Sequence, residues 1–173
     1  LIVERLQDPH PTVRSAAVGI LAKNDDPTIR AALLQLLDDE AVSIRRKVVN
    51  ICTDEECPGA EDSIAGLLSD EDALVRARAA RSLRHYNSVD ITSLRAALTD
   101  DDPRVRREAG RTLLELKNAA GIGAVIDRLG VEDDSSVISS YLFGLKRLAG
   151  QDYGSESAGW EKWFEAKKEE FKD

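Results

Sequence analysis

Val13-Arg14, Ile44-Arg45, Val75-Arg76 and Val105-Arg106 follow one another at intervals of 31, 31 and 30 residues, and Val137-Ile138 keeps the beat 32 residues further on. A unit this short cannot enclose a core by itself, so a chain that repeats it folds by stacking neighbouring copies. An acid stands five residues before each leading aliphatic residue: Asp8, Asp39, Asp70, Asp100 and Glu132. Leu6, Leu37, Leu68 and Leu98 stand seven before, with Leu129 one place out of step. Apolar residues follow at plus four and plus eight, as in Ala17/Leu21, Ala79/Leu83 and Ala109/Leu113. Spacings of three and four without strand alternation predict helices, two to each unit. The expected fold is all-α.

The first helix of the opening unit is expected over 11–22, with Val13, Ala17, Ile20 and Leu21 on its buried stripe. Proline just inside the start and an aspartate just before it mark such helix entries, as at Pro11 and at Asp102-Pro103. Second helices are expected over 27–37, 60–68, 90–98 and 121–129, with core stripes such as Ile29/Leu33/Leu36/Leu37 and Ile64/Leu67/Leu68. At 100° per residue the opposite face carries Ala32, Gln35, Ser63, Gly66, Ser93, Ala96, Ala124 and Asp127. If the units stack in register, these small and polar positions form one lightly furnished surface open to a protein partner.

Composition narrows the chemistry. A net charge of −8 and a pI near 4.9 work against binding to nucleic acid or an anionic membrane. No apolar run approaches the roughly 18 residues of a spanning helix. Leu1 is not a methionine, and Ile2, Val3 and Leu6 read as the end of a second helix whose first helix would lie upstream. That leaves the compartment open. Cys52 and Cys57 lack the C-x2-C spacing of a zinc site and read as a buried small hydrophobe and a loop thiol. The two histidines, His10 and His85, belong to no H-E-x-x-H motif, and no G-x-S-x-G or phosphate-loop motif is present. Asp100-Asp101-Asp102 lacks the remaining ligands of a calcium loop, and Gly121-Ile122-Gly123 lacks the third glycine and preceding strand of a dinucleotide fingerprint. No enzyme activity, metal or cofactor is expected.

The phrases DPHPTVRSAA, DDEAVSIRRKV, DEDALVRARAARSL and DDDPRVRREAGRTL resemble the short HEAT-like repeat named after phycobilisome lyases, over about residues 6–149. The resemblance implies a right-handed α-solenoid of about five antiparallel helix pairs, first helices convex and second helices concave. It assigns the small polar face to the concave side, and pairs Arg14, Arg45, Arg76 and Arg106 with loop acids such as Asp39, Asp70 and Asp100. Those pairs are expected to be exposed and worth about 0–1 kcal/mol each, setting register. The segment from Gly150 through Trp160, Trp163 and Phe164 is similar to the closing segment of many bacterial HEAT-repeat proteins and is expected to cap the stack. The whole chain then reads as one domain, with 1–7 the remnant of a preceding repeat, 8–149 the repeats and 150–173 the cap.

The function implied is a noncatalytic, monomeric scaffold that binds another protein on the concave face. Two alternatives stay open. One is a lyase-like or chaperone role for a tetrapyrrole protein, which the repeat's family name alone suggests. The other is nucleic-acid binding through the basic first helices that carry Arg76, Arg78, Arg81, Arg84, Arg104, Arg106, Arg107 and Arg111, although a solvated face balanced by acidic loops accounts for that patch more simply.

Overall fold

The structure, a computed structural model, describes residues 2–53, 57–86 and 89–171, and among these it is helical without a β-strand. It divides into two compact units, Leu1–Tyr86 and Asn87–Asp173. The first holds a 3₁₀ turn, Val3–Gln7, then α1 (Pro11–Leu21), α2 (Pro27–Leu34), α3 (Val42–Ile51), α4 (Glu61–Gly66) and α5 (Ala73–Ser82). The second holds α6 (Ile91–Ala96), α7 (Pro103–Leu116), α8 (Ala119–Leu129), α9 (Ser135–Ala149) and α10 (Ser157–Lys167).

Local chemistry sets the helix ends. Asp26, Asp72, Asp90, Asp102, Asn118 and Asp134 each accept a backbone N–H of the first turn that follows. Each such cap stabilises its helix by about 1 kcal/mol. Three second helices stop being α-helical earlier than their leucine patterns suggest. α2, α4 and α6 tighten into the 3₁₀ turns Gln35–Asp38, Leu67–Ser69 and Ala97–Thr99. The tighter turn keeps Leu37, Leu68 and Leu98 in the core while the next residue leaves in an extended conformation. That residue is Asp39, Asp70 or Asp100, whose carboxylate accepts the amide two residues on at 2.8 Å in all three cases. An aspartate is suited to this because its short side chain closes such a turn on its own backbone.

In the first unit the core is built from Leu6, Ala17, Val18, Leu21, Leu33, Leu37, Ile44, Val48, Ile64, Val75 and Ala79. The stripe positions Val13 and Ile29 are only half-buried, and another departs fully from the sequence expectation. Ile20 is 63% exposed and Val18 is fully buried. The inward face of α1 is centred on Arg14, Ala17, Val18 and Leu21 because the helix rolls to bury its arginine.

The cysteine expectation is overturned. Cys52 and Cys57 form a disulfide with a Cα–Cα distance of 5.5 Å, so Cys57 is not a free loop thiol. Both residues are fully buried, and the Tyr86 hydroxyl clasps the same loop by accepting the Cys57 N–H at 3.1 Å and donating to its carbonyl at 3.0 Å.

In the second unit α7 and α9 lie side by side, as first helices, and α10 packs on α8 as a second helix would. Gly110 makes the α7–α9 approach possible. A Cβ there would stand 2.7 Å from Tyr141 Cζ, inside the ring's van der Waals envelope. Tyr141 is fully buried and donates to the Arg106 carbonyl at 2.8 Å, so its ring has nowhere to retreat. Gly110→Ala is therefore expected to destabilise by about 1–3 kcal/mol, the range for overpacking a filled core. Thermal unfolding checks this, and an unchanged Tm would show that the two helices can separate without loss. On the other side of the unit, Trp160 and Trp163 of α10 are buried and Phe164 is half-buried against Gly123 of α8.

Candidate partner-binding site

The recurrent arginines are built into the structure. In the first unit Arg14 closes on Asp39 with Nε and Nη2 at 2.7 and 2.8 Å, while its Nη1 donates to the carbonyls of Asp8 and Pro9 at 2.8 and 3.3 Å. Arg45 repeats this on Asp70 at 2.7 and 3.0 Å and on the carbonyls of Asp39 and Glu40 at 2.9 and 3.2 Å. In the second unit Arg106 closes on Glu132 at 2.9 and 2.7 Å and on the carbonyls of Asp100 and Asp101 at 2.9 and 3.2 Å. Arg76 holds the carbonyls of its own loop, Asp70 and Glu71, at 2.8 and 3.2 Å. Each guanidinium thus ties down its own loop, and Arg14, Arg45 and Arg106 also grip the acid of the following one.

These ion pairs differ from the exposed pairs expected. Arg14, Arg45 and Arg106 are only 7%, 8% and 8% accessible. Burial disfavours the charged form of Glu132, but Arg106, the Asp134 amide and Arg128 outweigh it and hold the carboxyl at about 2. Burial likewise opposes ionisation of Asp39, and Arg14 with the Ala41 amide still keeps its carboxyl below the ordinary range. A guanidinium so engaged presents nothing to a ligand.

Much of the basic surface is also engaged within its own unit. Arg46 pairs with Asp72, Arg78 donates to the Arg46 carbonyl at 3.0 Å, and Arg84 donates to the Thr53 carbonyl at 3.0 Å. Arg104 pairs with Asp102 at 2.7 Å, Arg107 with Glu108 at 3.4 Å and Arg111 with Glu115 at 3.1 Å. Asp100 and Asp102, read in sequence as part of an acidic run, are turn and cap residues here. Among the described residues no group of His, Cys, Asp and Glu is arranged to hold a metal ion, and no helix is long and apolar enough to cross a membrane.

The outer face of the second helices remains. In the first unit Gln35, Ser63 and Gly66 are exposed and Ala32 is half-buried. A hollow of about 250 Å³ is lined by Asp25, Pro27, Arg30, Ala31, Leu34 and Pro58, and by none of these four. In the second unit Ser93, Ala96 and Asp127 are exposed. There a hollow of about 370 Å³ opens between α6 and α8, lined by Thr92, Arg95, Ala124, Asp127 and Val131 among others. Of the sequence-named positions on that face, Ala124 and Asp127 line it, whereas Ser93 and Ala96 do not. Arg30, Arg95 and Val131 were not singled out by the repeat pattern. Val131, 71% exposed in the loop after Gly130, falls outside the helical periodicity that found the others.

A family model described as HEAT repeats matches residues 1–56 and 57–146. The chain belongs to the HEAT-repeat family. As a HEAT-repeat protein it shares an all-α solenoid fold with engineered proteins solved by the Northeast Structural Genomics Consortium. One is 21% identical with a TM-score of 0.65, covering 96% of this chain and 89% of that one. Another is 20% identical with a TM-score of 0.60, covering 86% of this chain and 78% of that one. Among curated proteins it is 28% identical over 111 residues to the uncharacterized phycocyanin operon protein Z of Pseudanabaena tenuis, a match covering 59% of this chain. The HEAT-repeat chain spans 55% of that relative's length.

Proposed function

We propose that this HEAT-repeat chain is a noncatalytic interaction module that binds another protein along the outer faces of its second helices. The observation that carries this reading is the recurrence of small or polar exposed residues on one helical face: Gln35, Ser63, Gly66, Ser93, Ala96 and Asp127. Such positions let a partner's backbone approach closely, and the adjoining exposed Arg95 offers it a charged anchor. The noncatalytic part rests on how reactive groups are used. Three guanidiniums are spent on buried acids, and both cysteines are spent on a disulfide.

The test is affinity capture from source cells, followed by titration of the recovered protein against wild type and the Ser63→Arg and Ser93→Arg variants. Both serines are exposed, so the helical circular-dichroism signal should be unchanged while affinity falls by about tenfold or more. Equal affinity would remove the second-helix face from consideration.

A second reading, service to a tetrapyrrole-carrying protein, is supported by the likeness to a protein named for the phycocyanin operon. Mixing the chain with free bilin and with a bilin-bearing subunit separates the two readings. Absorbance spectra that do not change in either mixture would eliminate the second.

A further inference from the structure

A second surface lies on the first helices of the unit Asn87–Asp173, away from the faces just described. On α9, Ser140 and Gly144 stand one turn apart, and the Gly144 backbone comes so close to α7 that a Cβ there would collide with the end of Leu114. A groove of about 400 Å³ lies beside this seam, lined by Leu114, Phe143, Leu148 and Phe171 on its apolar side. Phe143 is 65% exposed, an aromatic wall facing water. The groove shares Lys117, Leu148 and Phe171 with a further hollow of about 590 Å³ that reaches Trp163. Together they form a trough longer than one small ligand needs.

Its charge runs against that of the chain. The protein carries −8 overall, yet Arg147 and Lys117 stand exposed on the rim, and neither has an ion pair or side-chain hydrogen bond among the described residues. Arg111 joins them with one edge of its guanidinium turned to Glu115 at 3.1 Å. Lys117 holds a left-handed backbone, φ 56°, at the end of α7, a position glycine ordinarily occupies. A cation sits there at the expense of backbone comfort.

We propose that this groove binds an acidic amphipathic peptide segment of another protein. One aromatic or leucine side chain seats over Leu114 and Leu148 between Phe143 and Phe171, and flanking carboxylates pair with Lys117 and Arg147. Charge-assisted hydrogen bonds to Lys117 and Arg147 supply orientation, and the apolar floor supplies the anchor. A continuous polyanion such as nucleic acid suits the site poorly, because Glu115 and Glu170 interrupt the basic rim. The inference is independent of the second-helix reading.

Fluorescence anisotropy with the full chain tests it. The probe is a short labelled peptide with Asp-Glu pairs on both sides of a central Phe-Leu, and the control replaces every acid with lysine. Saturable binding of the acidic probe is expected, with none of the control. Arg147→Glu should weaken it by about tenfold or more without changing Tm. Lys117→Gly should weaken it several-fold while raising Tm, a combination that a purely structural lysine cannot produce. Ser63→Arg and Ser93→Arg should leave it unaltered, so the two surfaces can fail separately. The proposal is overturned if the acidic probe does not saturate, or if Arg147→Glu binds it as tightly as wild type. It is equally overturned if a short DNA duplex or an anionic vesicle binds as tightly and with the same variant losses.

Discussion

Arg106→Ala should lower stability by about 3–5 kcal/mol, the range for removing one partner of a buried ion pair. The Glu132 side chain is 0% exposed, and the substitution leaves it with Arg128 and loop amides alone. Two loop carbonyls, those of Asp100 and Asp101, lose their donor as well. Arg106→Lys should recover little, since an ammonium cannot bridge a carboxylate and two carbonyls in the fork geometry of a guanidinium. Arg104→Ala is the control. That side chain is 53% exposed in its pair with Asp102, so its loss should amount to less than about 1 kcal/mol.

The same pair predicts an acid limb. Glu132 has a folded-state value of about 2, depressed below its unfolded value near 4.3. Its stabilisation is therefore complete above the unfolded value and lost as pH falls through the folded one. The amount is about 3 kcal/mol. Urea midpoints between about pH 5 and pH 2 should fall steeply for wild type and less steeply for Glu132→Gln. Parallel curves for the two proteins would mean that Glu132 carries no such charge.

Trp160→Ala is the other large effect, about 3–5 kcal/mol by the measure of buried tryptophan truncations. Trp160 is fully buried, its ring lies 5.3 Å from Tyr153 and 5.9 Å from Trp163, and its Nε1 donates to the Gly154 carbonyl at 2.9 Å. The loop and α10 are interlocked around it: a Cβ at Gly159 would strike the Tyr153 carbonyl oxygen. Trp160→Phe keeps most of the packing and loses the hydrogen bond, so it should cost about 1 kcal/mol of that total. Trp163 fluorescence during urea unfolding reports both variants. A midpoint unchanged by Trp160→Ala would show that α10 is held elsewhere.

The helix count per unit, the leucines of the core stripes and the acid that follows each second helix could all be read from periodicity and turn chemistry. Those properties are local, and Asp39, Asp70 and Asp100 close their turns with atoms two residues away. The candidate site was less legible. Gln35, Ser63, Gly66, Ser93, Ala96 and Asp127 follow from helical phase and are exposed, but the hollows of the same units depend on residues of neighbouring elements such as Pro58 and Val131.

The 31-residue beat by itself determined the repeat, its all-α class and the spacing of its helices, because side-chain direction along a helix depends on sequence spacing. Tertiary structure alone decided the rest. It buried Arg14, Arg45 and Arg106, and with that rolled Ile20 outward in favour of Val18. It brought Cys52 to Cys57 and hung that loop on Tyr86. It also opened the trough beside Gly144, where Lys117 and Arg147 rim an apolar floor. Each of these outcomes depends on which atoms of a neighbouring element fill or vacate the space beside a residue, and periodicity along one helix carries no record of that.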